Sequence, residues 1–309
     1  MFGNAITRRE FQVAIGGAAL ACATRSVAAE KTAGFIDAHV HVWTPDTKRY
    51  PLDPNFTVEQ MQPPSFTPTE LFAHSNPAGV ERIVLIQMSF YNFDNRYMLD
   101  VMEKHPGVFG GVGIVDHHAA DAPQKMKDLA ADGVKGFRLH SRGGSAAKWP
   151  TDVGMQAVWR TAADEGLAVC PLINPADLPH VEALCKQFHK TKVVIDHFAR
   201  VGVTGKIEQS ELDRLCRLSK FEHAHVKTSA FYALGKKSPP YTDLIPMIKT
   251  VVDAFGADRL MWASDCPYQV QGDHNYEASI ALIREECDFL NDAQRQAMLR
   301  GTAERLFFS

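Results

Sequence analysis

The sequence predicts an α/β chain folded as a (β/α)8 barrel of the TIM-barrel type. Eight short apolar segments recur after residue 34, and most are apolar at nearly every position, as in parallel strands buried on both faces. Segments with apolar residues three and four positions apart alternate with them and predict helices. Eight such units in about 280 residues match the size of one barrel. An open, doubly wound sheet is the alternative, but Trp43-Thr44-Pro45-Asp46 replaces the glycine-rich phosphate loop expected after its first strand.

The elements follow one another in a regular order. The predicted strands are Phe35–Trp43, Arg82–Met88, Phe109–Asp116, Val134–His140, Leu167–Ile173, Lys192–Phe198, Ala224–Ala230 and Leu260–Cys266. The clearest predicted helices are Asp121–Ala131, Val153–Glu165, Ala176–Phe188, Glu208–Leu218 and Thr242–Phe255. Glycines suited to left-handed helix caps follow three of them, at Gly133, Gly166 and Gly256. Three side chains are expected to cap helix N-termini: Asp152, Asn174 and Asn291.

The composition is that of an ordinary globular protein. Of 309 residues, 45% are hydrophobic and 22% are charged, which excludes a disordered chain and a small disulfide scaffold. The formal net charge of −3 lacks the basic excess of a nucleic-acid-binding protein, so no nucleic-acid partner is expected. None of the six cysteines forms a CxxC pair, and we expect most of them to be buried and reduced.

The N-terminus is typical of an export signal. Arg8 and Arg9 precede a small apolar run, Ala14–Ala23, and Val27-Ala28-Ala29 resembles a cleavage site. We therefore expect residues 1–29 to be a twin-arginine-type signal peptide, cleaved after Ala29, and residues 30–309 to be the catalytic domain. The predicted partner is the twin-arginine export machinery, and the predicted location is periplasmic or secreted. The apolar run is too short for a stable membrane anchor.

Polar residues stand at the carboxyl ends of the predicted strands, where barrels of this type carry their chemistry. His39 and His41 are two residues apart on strand one, so they share a face and suit a divalent metal ion. Asp265 at the end of strand eight could hold or deprotonate a water molecule, and His197 ends strand six. Because His197 is expected to point inward, its neighbour Asp196 is expected to point outward. A second His pair, His223 and His225, enters strand seven at the opposite end and is expected to be solvent-exposed.

Other strand-end residues are candidates for substrate binding. Arg138 and His140 share a face of strand four, and a buried Arg138 needs a partner: an anionic substrate, Asp116 or Asp265. Carboxylate binding is a further hypothesis for Arg142, Arg200 and Lys227. The remaining candidates are Gln87 on strand two and three aromatic residues near the pocket rim, namely Tyr91, Tyr232 and Tyr268.

Four stretches resemble the amidohydrolase superfamily, in particular its amidohydrolase-2 branch. They are Phe35-Ile36-Asp37-Ala38-His39-Val40-His41-Val42-Trp43, Gly133-Val134-Lys135-Gly136-Phe137-Arg138, Val193-Val194-Ile195-Asp196-His197-Phe198 and Arg259-Leu260-Met261-Trp262-Ala263-Ser264-Asp265-Cys266-Pro267. The tail Arg300–Phe307 resembles the closing helix of that family. The segment from Val226-Lys227-Thr228-Ser229 to Asp265 is similar to that of the sugar-lactone and pyrone-dicarboxylate lactonases.

The resemblance implies hydrolysis at a carbonyl. It implies that Asp265 is the general base on water, and that His39, His41 and His197 bind a metal or polarise the carbonyl oxygen. With Asp265 these histidines form the candidate metal site, and zinc is the ion that the resemblance suggests. Leu172 stands where many relatives carry a metal-binding histidine, so catalysis without metal is an equal alternative. Cys266 replaces a usual tryptophan and is interpreted as a buried thiol.

Three functions remain open. The first is a lactonase that opens an anionic or hydroxylated lactone, and the second is a non-redox decarboxylase of the same superfamily. The third is a catalytically silent periplasmic binding protein, against which the joint presence of His39, His41, His197 and Asp265 counts. The specific substrate does not follow from composition. Barrels of this type commonly pair, so a homodimer is a further expectation.

Overall fold

A computed structural model describes residues 34–309, and within them eight parallel strands form one sheet whose order follows the chain. The strands are β1 Phe35–Val40, β2 Val80–Ile86, β3 Phe109–Gly113, β4 Val134–His140, β5 Ala168–Leu172, β6 Lys192–Ile195, β7 Ala224–Ser229 and β8 Leu260–Ala263. The first and last strands meet just beyond their ends, where Asp265 N donates to His39 O (2.9 Å) and His41 N donates to Cys266 O (2.8 Å). The predicted (β/α)8 barrel is confirmed.

Helices surround the sheet. They are α1 Pro68–Ser75, α2 Arg96–Lys104, α3 Ala122–Ala131, α4 Val153–Asp164, α5 Leu178–Gln187, α6 Gln209–Cys216, α7 Ile245–Phe255, α8 Tyr276–Ala281, α9 Asp292–Gln296 and α10 Thr302–Phe307. The five helices expected from apolar spacing are α3 to α7, each within three residues of the predicted bounds. Asp152 and Asn291 cap helices as predicted, accepting hydrogen bonds from Met155 N and Gln294 N.

Several strands end earlier than their apolar composition predicts, and the difference shapes the site. β6 ends at Ile195 because His197, Phe198 and Ala199 have φ near +50°, and β8 ends at Ala263 shortly before Asp265, with φ of +67°. Residues in this left-handed region cannot continue a strand. The chain therefore turns where two candidate catalytic residues stand.

Two apolar clusters support the barrel. The larger lies between the sheet and the helices and includes Trp159 and Leu184. The smaller joins residues of six strands to Phe307 of α10, so this helix contributes to the filling of the barrel interior. Gly110 permits the close approach of α10, because a Cβ there would stand 2.9 Å from the Phe307 carbonyl oxygen.

Three further expectations concern the predicted signal, membrane-spanning helices and the second His pair. The predicted signal, residues 1–29, lies outside the described residues and stays a prediction. None of the helices in residues 34–309 is long and apolar enough to cross a bilayer. The predicted exposure of the second His pair holds for the His223 side chain, which is 41% exposed, but not for His225, which is half-buried with its Nδ1 3.0 Å from the His223 carbonyl oxygen.

Candidate active site

The seam between β1 and β8 carries a cluster of two imidazoles and a carboxylate. His39 Nε2 and His41 Nε2 are 3.3 Å apart, and each lies 3.4 Å from Asp265 Oδ1. His41 Nδ1 donates to Ile86 O (2.9 Å), which directs its Nε2 at the centre. The backbone bonds that close the barrel hold these three residues together.

The other oxygen of Asp265 faces two further side chains. Tyr232 Oη donates to Asp265 Oδ2 at 2.6 Å, and His197 Nε2 lies 3.7 Å from the same atom. His197 Nδ1 lies 2.8 Å from Ser229 Oγ, and that hydroxyl donates to Lys227 O. The Ser229 hydroxyl therefore fixes the orientation of the His197 ring, with Nε2 facing Asp265.

Asp196 also belongs to the centre, so the expectation that it points outward is wrong. Its carboxylate accepts from Arg138 Nη2 (3.0 Å), and Lys227 Nζ lies 3.1 Å from it. His39 Nδ1 is 3.3 Å from Asp196 Oδ1. The alternation rule failed because the strand ends at Ile195, so Asp196 and His197 no longer alternate across a pleated strand. Asp196, rather than Asp116 or Asp265, is the protein partner of Arg138.

Burial sets the charge states of the cluster. It lowers the pKa of His197 to about 4, a shift that Asp265 only partly opposes, and it lowers the pKa of His39 well below 6.5. Burial alone would raise the pKa of Asp265, but the surrounding imidazoles, His197 foremost, outweigh it and hold that pKa below its usual range. At neutral pH the centre therefore combines an ionised Asp265 with neutral imidazoles at His39 and His197.

A cavity of about 310 Å³ opens onto this cluster. Its floor carries His41, Arg138, His197 and Asp265, and Leu172 forms part of its wall. Tyr232 and Tyr268 line it as well. The exposed Arg200 stands at its edge, with Nη1 3.4 Å from Asn174 Oδ1.

Five of the predicted substrate-binding candidates are placed elsewhere. The Gln87 amide is buried and donates to Asn92 O and Asp94 O, so it holds a loop rather than facing the cavity. Lys227 is fully buried against Asp196 and His39. Arg142 is exposed and lies over the Phe56 ring. His140 is half-buried beside Arg138, with a pKa that burial lowers to about 3, and Tyr91 Oη contacts the Thr44 backbone. None of these five lines the described cavity.

Asp37 has a positioning role that its place in the sequence did not reveal. Its Oδ1 accepts from the backbone N–H groups of His39 (3.1 Å) and Ser264 (2.9 Å), and its Oδ2 accepts from Tyr276 Oη (2.8 Å). Burial raises the pKa of Asp37 to about 6 despite these bonds. One carboxyl group thus ties together the backbone on both sides of the seam.

The thiols are not part of this chemistry. Cys266 is buried, and burial raises its pKa well above 9, so it carries no reactive thiolate. Within residues 34–309 all five cysteines are free, and four of them are buried.

The residues offer a metal ion the right donor atoms but a poor electrostatic setting. His39, His41 and Asp265 each present one ligand atom, and Asp265 Oδ1 is buried without a hydrogen-bond partner. However, Arg138 Nη2 lies 3.2 Å from His39 Nε2, and Lys227 Nζ lies 3.2 Å from His39 Nδ1. Both nitrogens of this ring face a cation, so Arg138 competes with an ion for Nε2, and Asp196, which pairs with both cations, offsets only part of their charge. A bound ion therefore fits only if Arg138 moves.

Comparisons with known proteins show the family to which the chain belongs. The amidohydrolase family model matches residues 36–308. L-Fucono-1,5-lactonase of Burkholderia ambifaria is 28% identical over 272 residues, covering 87% of this chain and 93% of the relative. 4-Sulfomuconolactone hydrolase of Hydrogenophaga intermedia is also 28% identical, covering 89% and 88% of the two chains.

A solved structure shares the architecture. A protein from Pseudomonas putida, solved as a candidate 2-pyrone-4,6-dicarboxylic acid hydrolase, superposes with a TM-score of 0.74 at 25% identity, covering 89% of this chain and 98% of that one. With the family model spanning the whole barrel, this chain belongs to the amidohydrolase family, in its amidohydrolase-2 branch.

Proposed function

We propose that this chain is a hydrolase that opens a lactone ring by attack of water on the carbonyl carbon. One observation carries the proposal: an ionised Asp265 stands among imidazoles in an open cavity, and the Arg138 guanidinium lines the same cavity beside His39. A carboxylate base, a cation for the developing oxyanion and room for a small ring are what ester hydrolysis requires. The curated relatives named above, which are lactone hydrolases, support the same reaction class.

The reaction can be written with these residues alone. Water, held by Asp265 and His197, adds to the lactone carbonyl carbon while its proton passes to Asp265. Arg138 stabilises the negative charge on the former carbonyl oxygen. The bond from the carbonyl carbon to the ring oxygen then breaks, and the ring oxygen takes the proton from Asp265. The product is an open-chain hydroxy acid, which ionises at neutral pH and releases one proton to solvent.

Hydrogen bonds prepare Asp265 for this task. The Tyr232 hydroxyl, whose pKa burial raises well above 10, stays protonated and donates to Asp265 Oδ2. The low pKa of Asp265 means that it carries its charge throughout the working pH range. The protonated form of Asp265 is therefore short-lived, and Asp265 returns the proton to the leaving oxygen.

We infer that the substrate carries an anionic or hydroxyl group next to the lactone. Arg200 lies exposed at the cavity edge and has no carboxylate partner among the described ion pairs, so it is placed to meet such a group. The apolar wall at Leu172 and Val203 suits the carbon skeleton of a ring. Arg200→Met would raise KM for carboxylated lactones more than for neutral ones.

A divalent ion, if bound, would be held by His39, His41 and Asp265 and would polarise a carbonyl oxygen. The steps above use no such ion, because Arg138 and Lys227 face His39 and oppose its binding.

The test is proton release in weakly buffered indicator solution. The protein is offered sugar lactones and carboxylated lactones, each with and without chelator. We expect acid release that survives the chelator. Release that is lost with chelator and restored by zinc would overturn the metal-free mechanism but not the lactonase assignment, whereas carbon dioxide release or silence across the panel would overturn the assignment itself.

We also propose export of the folded chain through the twin-arginine route, supported by Arg8 and Arg9 ahead of the apolar run. Cell fractionation tests this, with Arg8→Lys and Arg9→Lys together as the comparison. Retention of the double variant in the cytoplasm, with an N-terminus at Glu30 for the exported wild type, is the expected result. An exported double variant would contradict it.

A further inference from the structure

A second group of metal-ligating side chains lies apart from the cavity. His117 and His118 follow β3, and Asp152 precedes α4, so the group joins two loops at the carboxyl end of the barrel. One ligand atom from each residue lies within 4.8 Å of the others. None of the three lines the catalytic cavity or contacts a residue of the central cluster.

Local contacts hold each member in place. The two imidazole rings are 3.9 Å apart between centroids, and His118 Nδ1 is 3.9 Å from Asp152 Oδ2. Asp152 Oδ1 accepts from Met155 N at 2.7 Å, which fixes the carboxylate at the start of α4 and leaves Oδ2 for the histidines. The cap therefore orients a ligand oxygen toward the imidazoles.

The β3 loop is packed directly against this helix. A side chain at position 154 would collide with the His117 carbonyl oxygen, so Gly154 is what allows the loop to approach. Asp116 Oδ1 accepts from His118 N at 3.0 Å and shapes the turn that presents both rings. The ligand set is thus assembled by backbone contacts rather than by the ion.

The electrostatic setting is the reverse of that at the catalytic centre. The charged groups acting on His117 are His118, Asp152 and Asp116, two of them carboxylates, and no lysine or arginine is among them. By contrast, Arg138 and Lys227 crowd the catalytic histidines.

We propose that His117, His118 and Asp152 form a peripheral site for a borderline divalent cation such as Zn²⁺. Two imidazoles and a carboxylate are ligands that this ion prefers, with water completing the coordination. His118 is 70% exposed, so an ion reaches the site from solvent without opening the barrel. The bound ion would tie the β3–α3 loop to the start of α4.

The experiment measures zinc binding to the full chain after chelator treatment, by competition with a chromophoric zinc indicator. Asp152→Asn is the decisive variant, because asparagine keeps the helix cap but replaces the carboxylate ligand by a neutral amide. His118→Ala removes a ligand from an exposed position. His189→Ala is the matched control, since His189 is exposed and belongs to neither cluster.

We expect Asp152→Asn and His118→Ala to lose one zinc ion per chain, or to bind it at least tenfold more weakly, while His189→Ala matches wild type. His39→Ala, which disables the catalytic cluster, should keep the peripheral ion. Zinc should also raise the unfolding temperature of wild type but not of Asp152→Asn. Unchanged zinc binding in both ligand variants, or no binding that survives His39→Ala in a folded protein, would overturn the proposal.

Discussion

Replacing Asp265 by asparagine removes the proposed base while keeping the shape of the side chain. The amide oxygen can still accept from the Tyr232 hydroxyl, which now stands 2.6 Å from Asp265 Oδ2. The amide nitrogen would face the Nε2 atoms of His39 and His41, both 3.4 Å from Oδ1. The variant therefore keeps the shape of the side chain and its contact with Tyr232, and it loses the charge and the basicity.

The size of the effect follows from the role of Asp265. A positioned general base contributes roughly 10²- to 10⁴-fold to a rate, which is about 2.7–5.4 kcal/mol of barrier. We expect kcat to fall by this factor. KM should change little, because Arg138 and Arg200 keep their contacts with the substrate. The folded chain favours ionised Asp265, so the variant should also melt at a lower temperature.

Initial rates of proton release on the best lactone of the panel measure the loss. Circular dichroism at the assay temperature establishes that the variant is folded. Asp213→Asn is the control, because Asp213 is an exposed carboxylate on α6 that bonds Gln209. Turnover of the folded Asp265→Asn variant within tenfold of the wild-type rate would refute the assignment of Asp265 as the base.

Three further outcomes follow from the same contacts. Tyr232→Phe removes the donor to Asp265 and should lower kcat roughly tenfold or more, the value of a hydrogen bond to a charged group; an unchanged kcat would contradict this. Arg138→Met removes the cation facing His39 and should strengthen zinc binding at the centre at least tenfold by indicator competition, and equal affinity would show that Arg138 does not exclude the ion. The free energy of unfolding, measured by chemical denaturation, should fall as the pH is lowered from 6.5 to 4. The fold lowers three histidine pKa values (His140 to about 3, His197 and His225 to about 4), so the unfolded chain binds about three more protons at these residues. Asp37, with its pKa raised to about 6, binds one more in the folded chain, so the unfolded chain binds about two more protons in total and the slope is on the order of 3 kcal/mol per pH unit. His225→Gln should reduce this slope, and a flat profile would contradict the pKa shifts.

The barrel could be predicted from the sequence because each of its units repeats the same physical signal. Strands that are apolar at nearly every position, and helices whose apolar residues repeat every 3.6 positions, are patterns produced by burial. Both can be identified from the residue types alone. The short helices α1 and α2 were missed: α1, Pro68–Ser75, carries only two buried residues, and such a helix leaves a weak periodic pattern. The positions of His39, His41 and Asp265 at strand ends likewise followed from the register of parallel strands.

Asp196 could not be placed in this way, and the reason is local. Alternation assigns neighbouring residues to opposite faces only while the backbone stays extended. The residue types in Val193-Val194-Ile195-Asp196-His197 do not predict that the left-handed conformation begins at His197. This backbone conformation is set by tertiary packing rather than by residue preference. The environments of Gln87 and Lys227 were not predicted, for a related reason. Gln87 bonds a carbonyl oxygen in a turn that was not predicted, and Lys227 pairs with Asp196, which lies far along the chain.

The inward position of Asp196 matters for the chemistry. Its carboxylate balances one of two buried cations, Arg138 and Lys227, and Asp265 supplies the second negative charge nearby. If Asp196 pointed outward, Arg138 would need a substrate anion for its burial, and the free enzyme would be destabilised. With Asp196 in place, the guanidinium is held before substrate arrives, at the distance from His39 that disfavours a metal ion. The same carboxylate thus keeps the centre of a chain with Leu172 in place of a fifth-strand histidine ordered and charged, as the proposed hydrolysis requires.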